Sequence, residues 1–343
     1  MAERPLVSII TPSYNQAPFL EQAIQSVFAQ EYHPIEYMII DGGSTDGSLE
    51  IIERYSNRFS WWISEPDQGQ SEAINKGLKL ARGEIVAWLN SDDLYLPGAI
   101  QFAVDQLQKD QEKGLVFGDA ISIDQNGQPV NRLSFGDWGL TELMRFRIIC
   151  QPAVFIRHAV LNKLALLEPS LHYLMDHQLW IRISQVSAIR YIGGNSVAGA
   201  KPLAAARQHP GAKNVARAAD FGGEVQRILQ WMETNPDLVE IVNNDRNHIR
   251  GGAYRLIARY YLDGDIPAQA LKSYIQAFRY WPMYGVKHWH RMFAAILSLV
   301  GLKKTIDRIR LLSSSRKGIQ LSAQLQNSFS GQLRTWPGIN LHQ

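Results

Sequence analysis

Ile85-Val-Ala-Trp-Leu-Asn-Ser-Asp-Asp93 is a short apolar run that stops abruptly in two adjacent carboxylates. It follows Gly83-Glu84, and after polar Asn90-Ser91 and the acid pair comes Tyr95-Leu-Pro97, the pattern of a buried strand that delivers its last residues into a loop. Asp92 and Asp93 then stand at the carboxyl end of a strand, the edge at which open α/β sheets collect ligands. Neighbouring carboxylates repel each other unless a proton or a cation joins them, and a divalent metal is a natural third party. Taken alone, such a pair is more often a solvated turn or a helix N-cap ahead of Pro97-Gly98, because capping by itself selects Asp. The surrounding pattern decides between these readings.

Upstream, Leu6 to Thr11 reads as a strand, and Pro12-Ser-Tyr-Asn15 leaves the sheet because proline cannot donate to a ladder. Phe19 to Gln30 is predicted helical, with Leu20, Ala23, Ile24, Val27 and Phe28 at the spacing of one buried face. Ile35 to Ile40 is a second strand ending on Asp41, and Gly42 to Gly47 turns into a helix. Phe59 to Ser64 is a third strand, Glu65 to Gly69 a loop, and Ser71 to Ala81 a helix with Ala73, Ile74, Gly77 and Leu78 inward. Alternation of this kind means parallel strands joined by right-handed crossovers, with helices on both faces.

Downstream the regularity fades. Leu115 to Gly118 is a further strand, Asn126-Gly127 between Ile121 and Val130 is a hairpin signal, and Gln151 to Ile156 is another strand, so the sheet becomes mixed. Leu171 to Gln185 contains a helical stretch around Asp176. Gly193, Gly194 and Gly199 mark a small-residue segment that is expected to move, as a lid would. From about Val215 helix follows helix. Ala253 to Leu262 and Ala268 to Arg279 form a hairpin similar to a tetratricopeptide unit, with one copy visible. Trp281 to Arg310 mixes aromatic and aliphatic residues with Lys287, His288, His290, Arg291, Lys303, Lys304, Arg308 and Arg310. That composition suits either an amphipathic helix on an anionic membrane face or a helix docked on its own protein with a solvated basic side.

Bulk properties limit these readings. With 343 residues the chain can hold a catalytic domain and an appendage, and a net charge of +3 is too small to imply a nucleic-acid partner. A single cysteine, Cys150, cannot form an internal disulfide, and Met-Ala-Glu-Arg-Pro lacks the apolar core of a secretory signal, so the cytoplasm is the expected compartment. The longest apolar run, Met292 to Leu302, is about half of the roughly 20 residues that a spanning helix needs.

Five stretches now carry a resemblance. Ser8-Ile-Ile-Thr-Pro-Ser-Tyr-Asn15, Ile40-Asp-Gly-Gly-Ser-Thr-Asp-Gly47, Glu65-Pro-Asp-Gln-Gly-Gln-Ser-Glu-Ala-Ile-Asn-Lys-Gly77, Leu89-Asn-Ser-Asp-Asp93 and Met175-Asp-His-Gln-Leu-Trp-Ile-Arg182, in that order, resemble glycosyltransferase family 2. The resemblance covers roughly residues 5 to 215, a domain-sized length. It implies an α/β GT-A type, Rossmann-like mixed sheet flanked by helices over residues 1–220, followed by an α-helical C-terminal extension over 221–343 that holds the hairpin near 250–282. The activity it implies is inverting transfer of a sugar from a nucleoside diphosphate donor, a UDP-sugar first among them, to a hydroxyl of a glycan or lipid-linked acceptor, as in making cell-surface polysaccharide or glycolipid.

Residue by residue, the resemblance places Thr11, Pro12, Tyr14 and Asn15 along the nucleotide and makes Asp41 the acceptor for a pyrimidine N–H, a task that suits an acceptor-only carboxylate. On its own, Asp41-Gly42-Gly43 is as well explained by a turn and helix start. Asp67 and Lys76 border the donor. Asp92 and Asp93 correspond to the metal motif, with Asp92 also facing the donor; oxygen ligands favour Mg2+ or Mn2+. Many relatives carry Asp where this chain has Asn90, which leaves fewer protein ligands. Asp176 takes the position of the catalytic base, and Gln178 stands where relatives often repeat an acid; an N-cap or a structural pairing with Arg182 is the bland alternative. Arg207, His209 and Lys213 match a basic segment near the diphosphate. The motif Gln-x-x-Arg-Trp of processive relatives is missing. A nucleotidyltransferase, a non-catalytic nucleotide-sugar binder and a scaffold are the rival functions. The C-terminal helices are left to a membrane surface or a second copy of the chain.

Overall fold

The computed structural model describes residues 4–302, 317–329 and 331–341. They fall into two compact units, one comprising Met1–Trp138, Ile149–Gln208 and Lys317–Gln343, the other Gly139–Ile148 and His209–Arg316.

The first unit is built on a seven-stranded sheet in the order β10-β6-β9-β4-β1-β2-β3. Its strands are β1 (Val7–Ser13), β2 (Ile35–Asp41), β3 (Trp61–Ser64), β4 (Ile85–Trp88), β6 (Lys113–Phe117), β9 (Val154–Arg157) and β10 (Ala188–Tyr191). The first four are mutually parallel, as the strand-helix alternation predicts, and their crossovers are α1 (Ala17–Phe28), α2 (Ser48–Arg54) and α3 (Gln70–Leu80). β9 runs antiparallel between β4 and β6. A second sheet, β5-β11-β7-β8, joins β5 (Leu94–Tyr95), β7 (Ala120–Ile123), β8 (Pro129–Leu133) and β11 (Ala204–Arg207). The Asn126-Gly127 signal is the β7–β8 turn, in which Gly127 adopts φ +81°. Four short helices complete the unit, α4 (Ala99–Lys109), α6 (His158–Leu161), α7 (Met175–Val186) and the terminal helix 317–328.

Why the pieces fit follows from their residues. β1, β2 and β4 carry Val7, Ile9, Ile39, Ile85 and Ala87 into one core with Leu20, Ile24 and Val27 of α1. α3 lies on the other face, and Gly77 lets it sit close: a Cβ there would come 2.5 Å from a methyl of Ile10 and 2.8 Å from its Cγ1. Gly77→Ala would overpack that contact and cost roughly 1–3 kcal/mol. A smaller core forms where Leu321, Leu325, Phe329 and Leu333 pack against Leu94, Ile121 and Ala205 of the second sheet. Residues 317–329 and 331–341 thus belong to the first unit in sequence-distant contact, for example through Trp336 Nε1, which donates to the Tyr95 carbonyl at 2.8 Å.

The second unit is helical: α5 (Leu140–Met144), α8 (Lys213–Ala216), α9 (Phe221–Thr234), α10 (Val239–Asn244), α11 (Arg246–Asp263), α12 (Pro267–Tyr280), α13 (Pro282–Lys287) and α14 (Trp289–Leu299). The expected hairpin is α11–α12, closed by Gly264 to Ile266, where Ile266 N–H donates to the Tyr261 carbonyl at 2.8 Å. Leu140–Met144 joins this unit through Arg145, whose guanidinium meets Asp245 at 2.6 and 3.0 Å. The Lys303, Lys304, Arg308 and Arg310 part of the basic stretch lies outside the described residues.

Candidate active site

β4 ends at Trp88, and Leu89 N–H still donates to the Ile10 carbonyl at 2.9 Å before the chain turns through Asn90 to Asp93. Asp93 is buried, 6% exposed. One of its carboxylate oxygens accepts the Arg207 backbone N–H at 3.0 Å, and the other accepts from Asn90 Nδ2 at 3.1 Å. Asn90 Oδ1 in turn accepts from Gln70 Nε2 at 2.7 Å, so the first residue of α3 fixes the amide of the loop. Burial, then the charge of Asp92, pushes the Asp93 carboxyl well above its ordinary pKa, against the pull of the Arg207 N–H and the Asn90 amide. Asp92 is half-buried. The pair therefore divides its work: Asp93 organises the loop from within, and Asp92 is the more open member.

Arg207 explains why the loop holds. Its side chain is 3% exposed, and Nε donates to the Asp92 carbonyl at 3.0 Å, Nη1 to the carbonyls of Asp124 and Gln125 at 3.3 Å each, and Nη2 to Gln22 Oε1 at 2.7 Å. Its pKa is lowered by burial and raised again by Asp93 and Asp92. The sequence places this cation at a diphosphate. The structure directs its guanidinium to protein acceptors beneath the acid loop.

The loops after β1 and β2 are sewn together at the same sheet edge. Asn15, at φ 51°, donates its N–H to Ser44 Oγ at 2.8 Å, and its side-chain oxygen accepts from Thr45 N–H at 2.9 Å. Thr11 and Pro12 are buried in the strand, with Thr11 Oγ1 3.1 Å from the Tyr37 hydroxyl, whereas Tyr14 is exposed. Asp41 is fully buried and accepts from the N–H groups of Gly43 (3.1 Å) and Ser44 (2.8 Å) and from the hydroxyls of Ser44 (2.5 Å) and Ser64 (2.7 Å). These bonds organise the turn through Gly43 and Ser44 and tie it to β3 through Ser64. Asp67 borders Gly42 and caps the Gly69 N–H at 2.8 Å. Lys76 pairs with Glu65 and faces an open groove with Trp61, Gln68, Glu72 and Asn75.

Asp176 lies in the first turn of α7, half-buried, where its carboxylate accepts the His177 N–H at 2.6 Å. Two ties bring this turn to the acid loop. Trp180 of α7 stacks on Trp88, the last residue of β4, with centroids 5.2 Å apart, a pairing worth about 0.5–1.5 kcal/mol beyond burial. α3 holds the approach to α7, since Asn75 exchanges two hydrogen bonds with the Leu167 backbone and Ser71 Oγ donates to the Leu171 carbonyl at 3.0 Å. The Cys150 thiol registers the result: burial pushes its pKa up, and both Asp93 and Asp176 add to the rise.

His209 and Lys213 belong to the second unit, His209 buried and Lys213 exposed at the start of α8. The small-residue segment after β10 is anchored at its start, where Gly194 N–H and the Tyr191 hydroxyl both reach the fully buried Asp119, itself paired with Arg132 at 2.8 Å.

Residues 8–163 match the model described as Glycosyl transferase family 2. Over this stretch the chain is similar to glycosyltransferase family 2. An uncharacterized glycosyltransferase of Rickettsia typhi is 33% identical over 196 residues, covering 54% of this chain and 61% of that protein. Chondroitin synthase of Escherichia coli is 30% identical over 196 residues, 55% of this chain and 28% of that protein. The chain thus spans less than two thirds of either relative. Among solved structures, S. aureus TarS in complex with UDP-GlcNAc has a TM-score of 0.55 at 17% identity, covering 83% of this chain and 91% of that one. Mannosyltransferase PcManGT from Pyrobaculum calidifontis in complex with GDP-Man and Mn2+ has a TM-score of 0.55 at 16% identity, covering 93% and 88%. The likeness of these structures is one of fold, and the fold is GT-A.

Within the matched stretch the donor set of the acid loop can be tested against a metal. Among the described residues no group of three or more His, Cys, Asp or Glu side chains is placed to hold an ion. What the chain offers is oxygen alone: Asp92, and the lone pairs of Asp93 that Arg207 and Asn90 leave unused. Such a set fits Mg2+ or Mn2+ when diphosphate and water supply the remaining oxygens. Gln22 lies in no quoted stretch, and Gln70 and Trp180 stand inside quoted stretches with no role assigned to them, so the sequence reading passed over the support they give the loop and the Asp176 turn.

The elevated Asp93 pKa has a measurable consequence. The folded chain binds this proton more tightly than the unfolded chain, so stability falls as pH rises from the ordinary Asp value of 3.8 through the higher folded value. Asp93→Asn is expected to flatten that part of the slope of unfolding midpoint against pH. An unchanged slope would mean that another group carries the proton.

Proposed function

We propose that this chain is an inverting, metal-assisted glycosyltransferase that moves a sugar from a nucleoside diphosphate donor, a UDP-sugar, to a hydroxyl of a glycan or lipid-linked acceptor in cell-surface polysaccharide or glycolipid synthesis. The observation that carries the reading is the shared neighbourhood of the β4 acid loop and the first turn of α7, joined by the Trp88–Trp180 stack. It supports reading Asp92 and Asp93 as the donor-side acids and Asp176 as the acceptor-side carboxylate. TarS in complex with UDP-GlcNAc, PcManGT in complex with GDP-Man and Mn2+, and the name chondroitin synthase support the donor class and a glycan acceptor.

In this reading Tyr14 and Asn15 lie along the base and ribose, over Thr11 and Pro12, and Asp41 accepts from the pyrimidine. Asp67 and Lys76 border the donor. Asp92 faces the diphosphate, with Asp93 locking its loop. Held by these carboxylates, Mg2+ or Mn2+ supplies neutralisation of the charge that grows on the departing nucleotide. Asp176 takes the acceptor hydroxyl proton as that oxygen attacks the anomeric carbon from the side opposite the nucleotide, which inverts the centre. Arg207 acts as a positioning residue for Asp92. The catalytic domain is read as residues 1–220 and the helical extension as 221–343; by compactness, 139–148 and 209–220 go with the helices, and 317–329 and 331–341 with the first unit.

A thermal-shift panel of UDP, GDP and their sugars, with and without Mn2+, tests the donor assignment. A ligand at a hundred times its dissociation constant adds about 2.7 kcal/mol of stability. Stabilisation by UDP-sugars that Mn2+ enhances is expected, with the enhancement lost in Asp92→Asn. A metal effect as large in that variant as in the parent would remove Asp92 from the metal site, and a response to GDP-sugars alone would overturn the UDP assignment.

A further inference from the structure

In the second unit, α14 is built the wrong way round for a helix of a globular protein. Ala294 and Ala295 are buried against Ala258, Leu262, Ala270 and Tyr274, with Met292 packed beside them, while Trp289, Phe293 and Ile296 are exposed. Trp289, Phe293, Ile296 and Val300 recur at the spacing of one helical face, opposite the alanines. Met283 and Val286, on α13, are exposed as well. These six side chains are between 45% and 80% exposed. Single exposed apolar residues are ordinary, but a continuous row of this kind marks a contact surface.

Charge says what the contact is. No Asp or Glu occurs between Asp265 and Asp307, an interval that contains Lys272, Arg279, Lys287, Arg291, Lys303 and Lys304. Lys272, Arg279 and Lys287 are exposed. His288 adds no charge at neutral pH, because burial, with Arg255 and Arg291 nearby, lowers its pKa to about 4. A symmetric contact between two copies through this face would bring the cations of one against those of the other, which is unfavourable. An anionic bilayer surface meets both halves of the pattern: acyl chains and the headgroup boundary take the Trp, Phe, Met and aliphatic side chains, and lipid phosphates take the lysines and arginine. No described helix is long and apolar enough to cross a membrane, so the contact is one of lying on the surface.

We propose that the α13–α14 face, which exposes Met283, Val286, Trp289, Phe293, Ile296 and Val300 beside exposed Lys287 in a stretch whose sequence from 266 to 306 holds no acid, is a docking surface for an anionic lipid bilayer, with Arg291 held back by its pairing with Asp263 at 3.5 Å. It stands independently of the donor and acceptor assignments above.

Co-sedimentation of the full chain with vesicles tests it, using phosphatidylcholine alone and phosphatidylcholine mixed with phosphatidylglycerol. Binding to the anionic vesicles that falls with added salt is expected. The double substitution W289S/F293S should lower partitioning by at least about tenfold, given the apolar area removed from the bilayer. Lys287→Glu should lower it by about fivefold, through loss of a cation and gain of an acid near the lipid phosphates. All three positions are solvent-exposed, so an unchanged melting curve accompanies the loss. The proposal is overturned if the parent ignores anionic vesicles, if W289S/F293S binds them as the parent does, or if the parent is a stable dimer in solution that W289S/F293S converts to monomer.

Discussion

Asp176→Asn is expected to lower kcat for sugar transfer by about 10²- to 10⁴-fold, the range typical of losing a positioned general base, while leaving donor binding intact. The substitution is nearly isosteric. The amide oxygen still accepts the His177 N–H that the carboxylate accepts now at 2.6 Å, so the first turn of α7 keeps its geometry. What disappears is the negative charge and the capacity to take a proton. The charge also favours the N-terminal end of α7, an effect of about 0.3–1 kcal/mol, so a small drop in melting temperature is part of the expected result. The measurement is single-turnover transfer beside donor affinity by calorimetry in the same preparation. A variant that transfers at the parent rate would leave Asp176 a structural residue and remove the base from the mechanism. A variant that loses donor affinity in step with transfer would place Asp176 on the donor side. Gln178 cannot substitute as a base, because it is an amide and is itself buried in the helix.

The fold was largely legible because its first half obeys local rules. β1, β2, β3 and β4 are apolar runs separated by amphipathic helices, and each predicted element lies within a few residues of the observed one. The position of β9 was not legible. A four-residue strand buried on both faces reads the same in either direction, and nothing in Val154–Arg157 announces that it enters antiparallel between β4 and β6. The packing of residues 317–329 and 331–341 against Leu94 and Ile121 was hidden for a related reason: the match is between surfaces more than a hundred residues apart, and periodicity within a helix says which face is apolar but not what covers it.

At the candidate site the same division holds between motif and support. Asp92, Asp93, Asp41 and Asp176 are visible as acids at strand ends and helix starts, because those are the places where a short carboxylate is useful. The turn around Asp41 could be read from Gly42, Gly43 and Ser44, since such side chains bond their own backbone. The bonding of the Asp41 oxygens by Ser44 and Ser64 could not, because Ser64 arrives from the neighbouring strand. Nor could the link from Gln70 through Asn90 to Asp93, because Gln70 reaches the loop only once the fold brings α3 within hydrogen-bond reach of it. Arg207 is the instructive case. The resemblance implies a place near the diphosphate, and only the arrangement of carbonyls around it shows that the guanidinium is bonded within the loop.

That bonding makes Arg207→Met the substitution with the largest expected effect on stability, a loss on the order of 3–5 kcal/mol, as for breaking a buried charged network by removing one partner. Methionine nearly fills the volume but donates nothing, so the carbonyls of Asp92, Asp124 and Gln125 and the side-chain oxygen of Gln22 all lose their donor. Asp93 keeps the backbone N–H of residue 207 but loses the nearby positive charge that opposes its raised pKa. Domains of this kind have about 5–15 kcal/mol in all, so the loss should appear as a large fall in the urea midpoint, and the Mn2+-dependent part of donor stabilisation should go with it as the Asp92 backbone drifts. Arg207→Lys restores charge but only a single point of donation, and should recover part of the stability without re-forming the link to all four oxygens. The opposite pattern separates the two roles. If Arg207→Met unfolds at the parent midpoint and yet binds the nucleoside diphosphate many times more weakly, the guanidinium turns toward the phosphates when donor arrives, and the acid loop must be held by Asn90 and Gln70 instead.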